Sequence, residues 1–181
     1  GSMYHTGEGV AQDYAEAVKW VRKAVAHDYA PAQNHLGYCY WSGEGVVRDY
    51  AEAVKWYRKA AAQNDAKAQC NLGVCYHEGQ GVAKDDTEAV NWWRKAAEQK
   101  DANAQAYLGA SYAKGQGVAK DYKEAVKWYR QAAEHNDAQA QCLLGVCYAK
   151  GNGVAQDPKE AVKWYRLAAD QNQAEAQFNL G

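Results

Sequence analysis

The residues of this sequence that could bind a metal lie within one short segment. Cys70, Cys75 and His77 carry the sulfur and imidazole ligands that zinc prefers. In a helix, a spacing of five residues separates the two cysteines by about 7.5 Å along the axis and places them on different sides. The segment also supplies no fourth ligand. We therefore expect no metal site, and no other cofactor is indicated.

The five cysteines could also form disulfide bonds. Cys142 and Cys147 repeat the spacing of Cys70 and Cys75, which is too long for a disulfide bond within one helix, and Cys39 lies 36 residues before Cys75. We expect all five to stay reduced and to act as small apolar side chains in the core.

Residues for catalysis are not found in a useful arrangement. The five histidines lack acidic or nucleophilic partners at a suitable spacing, and no G-x-S-x-G motif occurs. The recurring glycine pairs, such as Gly79 and Gly81, lack the third glycine and the Lys-Ser/Thr of a phosphate-binding loop. The sequence therefore predicts a protein that is not an enzyme.

The charge balance bears on the class of partner. The 21 Lys and Arg residues against 22 Asp and Glu residues give a net charge of −1, which creates no field that would attract nucleic acid. No apolar run reaches the ~20 residues of a membrane-spanning helix. We expect an ordered protein whose partners are neither nucleic acid nor membrane.

A repeat positions all of these residues. The segment DYAEAVKW occurs at 13–20 and again at 49–56. The same spacing of 36, without insertion, relates five tryptophans and five glycines: Trp20, Trp56, Trp92, Trp128 and Trp164, with Gly7, Gly43, Gly79, Gly115 and Gly151. A period of this length is typical of a solenoid, in which each repeat buries its apolar face against its neighbours.

Each repeat contains two predicted helices, which we name helix A and helix B. Helix B, at 49–64, begins after Asp49, and Glu52 three residues later predicts a capping box in which both carboxylates bind free amides. Its apolar stripe follows the helical period and comprises Tyr50, Ala53, Val54, Tyr57, Ala60 and Ala61. Helix A, at 65–79, places Ala68, Leu72, Cys75 and Tyr76 on one face. It ends at Gly79, in a GQGV segment whose glycines can adopt positive φ.

These features resemble a known family. Residues 68–99 are similar to the Sel-one-like repeat, a relative of the tetratricopeptide repeat. The matching residues are Ala68, Leu72, Gly73, Tyr76, Gly79, Gly81, Val82, Asp85, Ala89, Trp92, Ala96 and Ala97. The resemblance implies an all-α, right-handed α/α solenoid of five 36-residue helix-turn-helix repeats, with helix A lining the concave surface.

The resemblance also implies a function. Proteins of this kind are usually adaptors that bind proteins or peptides, and many are bacterial, so both the cytoplasm and the periplasm are open as locations. One cysteine-rich branch joins its two helices by a disulfide bond, but Ala61 and Ala97 occupy the corresponding positions here. An amidase or lactamase activity, claimed for some of those relatives, is a third hypothesis, but no nucleophile in the sequence has a base partner.

The positions that vary most between repeats lie on helix A, opposite its core stripe. We expect them to form the partner-binding groove, whose residues are Asn34, Tyr38, Trp41, Lys67, Cys70, Val74, His77, Glu78, Ala106, Lys114, Cys142, Val146, Lys150 and Phe178. An apolar floor with polar edges suits an extended peptide or an amphipathic helix. We expect alanine at Tyr38 or Trp41 to weaken binding while leaving stability nearly unchanged. For the small residues of the groove, packing against the adjacent repeat is the alternative role.

Two further series recur in every repeat. They are the tryptophans and the arginines Arg22, Arg58, Arg94, Arg130 and Arg166. We expect each arginine to bridge one repeat to the next through a carboxylate, rather than to form an anion-binding ladder. We expect the tryptophans to pack beside the helix B stripe, rather than to form aromatic cages.

The ends of the chain lead to a second hypothesis. Residues 1–2 resemble an expression-tag remnant, and residues 3–181 are predicted to form a single solenoid cut within helix A at both ends. Phe178 and Leu180 would then lack a following helix B. A structural module that stacks head to tail through these ends is therefore the alternative to an adaptor.

Overall fold

The protein is described by a computed structural model that covers residues 2–7, 9 and 11–181. Gly1, part of the expected tag remnant, lies outside the described residues. All regular secondary structure in the described part of the chain is helical, and no strand occurs there. The predicted all-α fold is therefore confirmed.

The chain divides into two compact units, Gly1–Asp85 and Asp86–Gly181. The described helices of unit 1 are α1 (Ser2–Thr6), α2 (Tyr14–Val25), α3 (Ala30–Ser42), α4 (Tyr50–Ala62) and α5 (Ala66–Glu78). Those of unit 2 are α6 (Asp86–Glu98), α7 (Ala102–Lys114), α8 (Tyr122–Glu134), α9 (Ala138–Lys150), α10 (Pro158–Asp170) and α11 (Ala174–Leu180). The prediction that residues 3–181 form one continuous solenoid stays a prediction.

The helices alternate as the repeat requires: odd-numbered helices are helix A and even-numbered helices are helix B. Each helix A packs against a neighbouring helix B, as α3 does against α4 in unit 1 and α7 against α8 in unit 2. Leu72 and Leu108, at the same position of α5 and α7, are fully buried. These leucines lie in the predicted core stripe of helix A.

The start of helix B is capped by half of the predicted box. The Asp49 carboxylate accepts from the backbone N–H of Glu52 at 2.9 Å, as expected. The N–H of Asp49, however, donates to the carbonyl of Tyr40 at 2.9 Å, so the Glu52 carboxylate is not needed there. Glu52 pairs instead with Lys55 at 2.7 Å. The expected role of the glutamate is thus wrong, because the preceding helix A already supplies the acceptor.

The glycine pair after helix A has two separate functions. Gly79 ends α5 in the left-handed conformation, with φ of 70°. Gly81 also has a positive φ, 74°, and a Cβ atom there would lie 2.2 Å from the carbonyl oxygen of Tyr50. The second glycine is therefore required by the close approach of the loop to the start of α4.

The recurring arginines bind the following helix A. Four of them donate hydrogen bonds of 2.7 to 3.3 Å to tyrosine hydroxyls: Arg22 to Tyr40, Arg58 to Tyr76, Arg94 to Tyr112 and Arg130 to Tyr148. Their expected role in joining repeats is confirmed for these four pairs, but the expected carboxylate partner is wrong. A tyrosine recurs 18 residues after each of these arginines, and its hydroxyl is the acceptor.

Candidate protein-binding surface

The structure places the fourteen predicted groove residues in three environments. Tyr38, Lys67, Glu78, Lys114, Lys150 and Phe178 are exposed; Asn34, Trp41, Val74, His77, Ala106 and Val146 are half-buried; Cys70 and Cys142 are buried. Burial of the two cysteines contradicts their assignment to an open groove.

The physical reason is visible at Cys142. Its side chain is 0% exposed and belongs to a cluster with Tyr165 of α10 and Ala176 of α11. This position of helix A therefore faces the next repeat rather than solvent. Cys70 and Ala106 occupy the same position in earlier repeats, and Ala106 also packs against a core cluster. Packing between repeats, the alternative role considered for these small side chains, is correct here.

An aromatic pair, Tyr38 and Trp41, lies on the surface of unit 1. The rings of Tyr38 and Trp41 stack with centroids 6.2 Å apart and an interplanar angle of 29°. The indole N–H of Trp41 donates to Oε1 of Gln80 at 2.7 Å, and its ring meets Tyr50 edge-on at 6.5 Å. Trp41 is thus held by its neighbours, while 37% of Tyr38 is exposed above it.

Polar groups are also present on α3 and α5. Nδ2 of Asn71 donates to Oδ1 of Asn34 at 2.9 Å, which links α5 to α3. Burial, followed by the charge of Glu44 and a hydrogen bond to it, raises the pKa of the Tyr38 hydroxyl above its ordinary value. Lys67 and Glu78 supply exposed charges of opposite sign on α5. We call Asn34, Tyr38, Trp41, Lys67, Val74, His77 and Glu78 the aromatic face of unit 1.

The predicted residues of unit 2 form a different surface. Lys114 and Lys150 are exposed at the last positions of α7 and α9, where a cation complements the helix dipole. Val146 packs against the cluster that contains Cys142 and Tyr165. The apolar floor expected in this unit is therefore largely taken up by packing between repeats.

Burial affects the chemistry of the cysteines. All five are buried, as expected for small apolar side chains in the core. Burial raises the pKa of the Cys39 thiol to about 11 and that of Cys75 to about 12. A thiol with so high a pKa stays protonated at neutral pH, whereas nucleophilic attack requires the thiolate. These residues fill space in the core.

Sequence reasoning missed a series of buried glutamines on helix A. Gln33, Gln69, Gln105 and Gln141 are each 2–3% exposed. In the last three, Nε2 donates to a helix B carbonyl eight residues earlier, as Gln141 does to Ala133 at 3.3 Å. The sequence did contain a signal for this series, since a glutamine recurs every 36 residues beside the core stripe of helix A.

The tryptophan series is only partly core. Trp56 and Trp164 pack against core clusters, as expected, but Trp20 is 44% exposed. A lysine three residues later covers three of the rings, with Nζ 3.9 to 4.2 Å from the centroid: Lys23 on Trp20, Lys59 on Trp56 and Lys95 on Trp92. Each of these three indoles therefore makes a cation–π contact within its own helix.

Within the described residues, no cluster of three or more His, Cys, Asp or Glu side chains is arranged to hold a metal ion. The helices of that same part of the chain include none with the length and apolar character to cross a membrane.

Comparison with protein families gives one match over nearly the whole chain. The model of the Sel1 repeat matches five consecutive segments, residues 1–29, 30–65, 66–101, 102–137 and 138–173. No match is found among the curated proteins.

Solved structures include close relatives. A Sel1 repeat protein from Oxalobacter formigenes is 43% identical with a TM-score of 0.91, over 97% of this chain and 71% of that one. A protective antigen of uropathogenic Escherichia coli strains, displaying an SLR fold, is 40% identical with a TM-score of 0.89 over 98% of this chain. This chain spans 38% of the length of that antigen. Helicobacter pylori cysteine rich protein B is 27% identical, with a TM-score of 0.59, over 74% of this chain and 96% of that one.

Proposed function

This chain belongs to the Sel1 repeat family, and we propose that it is a scaffold that binds a peptide segment of a partner protein on the aromatic face of unit 1. Repeats of this family are generally non-enzymatic scaffolds for protein interaction. The observation that carries the proposal is the exposed Tyr38 ring stacked on the fixed Trp41 ring.

The geometry of this pair suits a binding hot spot. Aromatic side chains contribute most of the binding energy at many interfaces, particularly where neighbours hold them in place before the partner arrives. Trp41 is fixed by its hydrogen bond to Gln80 and by Tyr50, so little side-chain freedom is lost on binding. We therefore expect an apolar or aromatic side chain of the peptide to contact Tyr38.

The polar surroundings define the rest of the peptide. Exposed Lys67 and Glu78 carry opposite charges on α5. A peptide of mixed charge with one apolar anchor matches these groups better than a uniformly charged one.

Peptide display against the purified chain tests this proposal. Peptides selected on the wild-type protein should bind Tyr38→Ala at least about tenfold more weakly, which corresponds to ~1.4 kcal/mol. Tyr29→Ala is the matched control, because Tyr29 is a 58% exposed tyrosine at the start of α3 and outside the aromatic face. Equal affinity for wild type and Tyr38→Ala, or equal losses in both variants, would contradict the proposal.

A second candidate function is supported by one observation. Phe178 on α11 is 84% exposed, far more than its counterpart Cys142 at the same position of α9. A head-to-tail contact with another copy would cover this side chain. If so, the mass in solution rises with protein concentration, Phe178→Asp abolishes that rise, and Leu167→Asp, at a 47% exposed leucine of α10, retains it. A monomeric mass at every concentration would exclude this candidate.

A further inference from the structure

We propose that an open pocket in unit 2 binds an arginine side chain of a partner protein. The pocket, here named the Trp128 pocket, has a volume of 430 Å³ and lies between α6, α7 and α8. Its lining consists of Ala97, Glu98, Lys100, Gln105, Trp128, Gln131, Glu134 and His135. It shares no residue with the aromatic face of unit 1, so this inference does not rest on the function proposed above.

Unit 1 contains the same pocket two repeats earlier. The Trp56 pocket, of 500 Å³, is lined by Val25, Asp28, Gln33, Trp56, Lys59, Ala62 and Gln63. Each of these residues lies 72 positions before a residue that lines the Trp128 pocket. The two pockets therefore have the same architecture. Where their lining residues differ, the Trp56 pocket contains interactions that the Trp128 pocket lacks.

The Trp56 pocket supplies its own donors and its own cation. Nε2 of Gln63 donates to Oε1 of Gln33 at 2.9 Å and to the carboxylate of Asp28 at 3.2 Å. Nζ of Lys59 lies 4.2 Å from the centroid of the Trp56 ring. The buried acceptor and the exposed side of the indole are thus both occupied by groups of the chain itself.

In the Trp128 pocket, the buried acceptor lacks its donor. His135 replaces the glutamine that would donate, and Oε1 of Gln105 is buried without a hydrogen-bond partner. Gln105 is 2% exposed. Its amide orientation is determined by Nε2, which donates to the carbonyl of Ala97 at 3.3 Å and to Oε1 of Gln131 at 3.4 Å. Because that end must be the donor, the unpaired atom is an acceptor that requires an N–H group.

The indole of this pocket also lacks its usual cation. Gln131 stands where Lys59 stands in unit 1, and the lysine on Trp128, Lys127, lies farther away, with Nζ 5.7 Å from the ring centroid. The exposed carboxylates of Glu98 and Glu134 outnumber Lys100, the one lysine in the lining. The pocket therefore offers a ring surface, an acceptor and two anionic groups to a cation with several N–H donors.

A guanidinium group matches all three features. It is planar and stacks on an indole ring, it is always charged, and its five N–H donors can reach an amide oxygen and a carboxylate together. His135 and Glu134 at the rim are exposed and can turn aside as the group enters. An arginine side chain therefore supplies the donor and the cation that Gln63 and Lys59 supply in the Trp56 pocket.

Nuclear magnetic resonance of the ¹⁵N-labelled full chain tests the inference. The probe is the peptide acetyl-Gly-Arg-Gly-amide, and the same peptide with citrulline, a neutral isostere of arginine, is the control. We expect saturable shifts of the Trp128 indole N–H, assigned with Trp128→Phe, and of the Gln105 side-chain amide, with a dissociation constant in the millimolar range. The citrulline peptide should bind at least tenfold more weakly, because it lacks the charge.

Two variants introduce residues of the Trp56 pocket into the Trp128 pocket, and both should fold as well as wild type. Gln131→Lys places a cation on Trp128, and His135→Gln supplies a donor to Gln105. Each should weaken binding of the arginine peptide at least tenfold. The inference is overturned if no saturable shift occurs, if all the indoles shift alike, if citrulline binds equally well, or if both variants bind like wild type.

Discussion

Trp41 donates a hydrogen bond of 2.7 Å from its indole N–H to the side-chain oxygen of Gln80. The bond joins the end of α3 to the loop that follows α5, so it connects consecutive repeats within unit 1. Trp41 therefore contributes to the fold as well as to the surface. This differs from the expectation, made from the sequence, that alanine at Trp41 leaves stability nearly unchanged.

The first prediction separates these two roles. Trp41→Phe keeps an aromatic ring but removes the donor, and we expect the free energy of unfolding to fall by about 1 kcal/mol. Tyr38→Ala, which removes the exposed ring, should change it by less than about 0.5 kcal/mol. Denaturant titration followed by circular dichroism measures both values. A larger loss for Tyr38→Ala than for Trp41→Phe would show that Tyr38 belongs to the core.

The second prediction concerns the buried leucines. Leu108 in α7 is 0% exposed, and Leu108→Ala should cost about 2–5 kcal/mol, because it leaves a cavity in a core that relaxes only partly. Leu167→Ala in α10, at a 47% exposed position of the same unit, is the control and should cost far less. Hydrogen exchange should locate the loss of protection in the helices next to α7. Equal loss at both chain ends would contradict a solenoid stabilised by contacts between neighbours.

A third prediction reverses a general rule. Replacing glycine by alanine inside a helix normally stabilises a protein, by about 1 kcal/mol. At Gly109, however, a Cβ atom would lie 2.6 Å from Cδ1 of the Tyr129 ring, which is 3% exposed. We expect Gly109→Ala to destabilise the protein by about 1–3 kcal/mol, measured by thermal unfolding. Combining it with Tyr129→Leu should give a smaller loss than the sum of the two single changes, and simple additivity would count against the clash.

The fourth prediction is a loss of stability at alkaline pH. Burial raises the pKa of Cys75 from 9.0 to about 12, so the unfolded chain releases this proton at a lower pH than the folded chain does. Its contribution is complete below pH 9 and falls as pH rises toward 12, by up to about 1.4 kcal/mol per pH unit. Burial also raises the pKa of Tyr57, which acts in the same direction.

Denaturant titration at several pH values measures this dependence. Cys75→Ala should show a smaller decline between pH 9 and pH 11 than wild type, because the titrating thiol is absent. If wild type and Cys75→Ala declined in parallel, the burial of this thiol would not be linked to stability.

Much of the fold could be predicted because its causes are local in the sequence. Asp49 before helix B and Gly79 after helix A determine where those helices begin and end, and the predicted bounds agree with Tyr50–Ala62 and Ala66–Glu78 within two residues. Ala68, Leu72 and Cys75 of the helix A stripe are buried as expected, because the helical period places them on one side.

Contacts between repeats were harder to predict. The position shared by Cys70 and Cys142 lies opposite the core stripe in one helix, yet it is buried, because the next repeat covers Cys142 with α10 and α11. The angle at which one repeat packs on another decides this, and the period of a single helix contains no information about that angle. Tyr112 as the partner of Arg94 was missed for the same reason.

By itself, the sequence determined the repeat, the helices, their caps and their core stripe, because these depend on residues a few positions apart and on a strict period of 36. Tertiary structure alone decided which variable residues stay accessible, as Tyr38 does, and which buried groups lack a partner, as Gln105 does. Gln105 and Gln131, 26 residues apart, meet only when α7 and α8 pack together. Hydrogen bonding and burial act over a few ångströms in space, and the packing of helices sets which distant residues come that close.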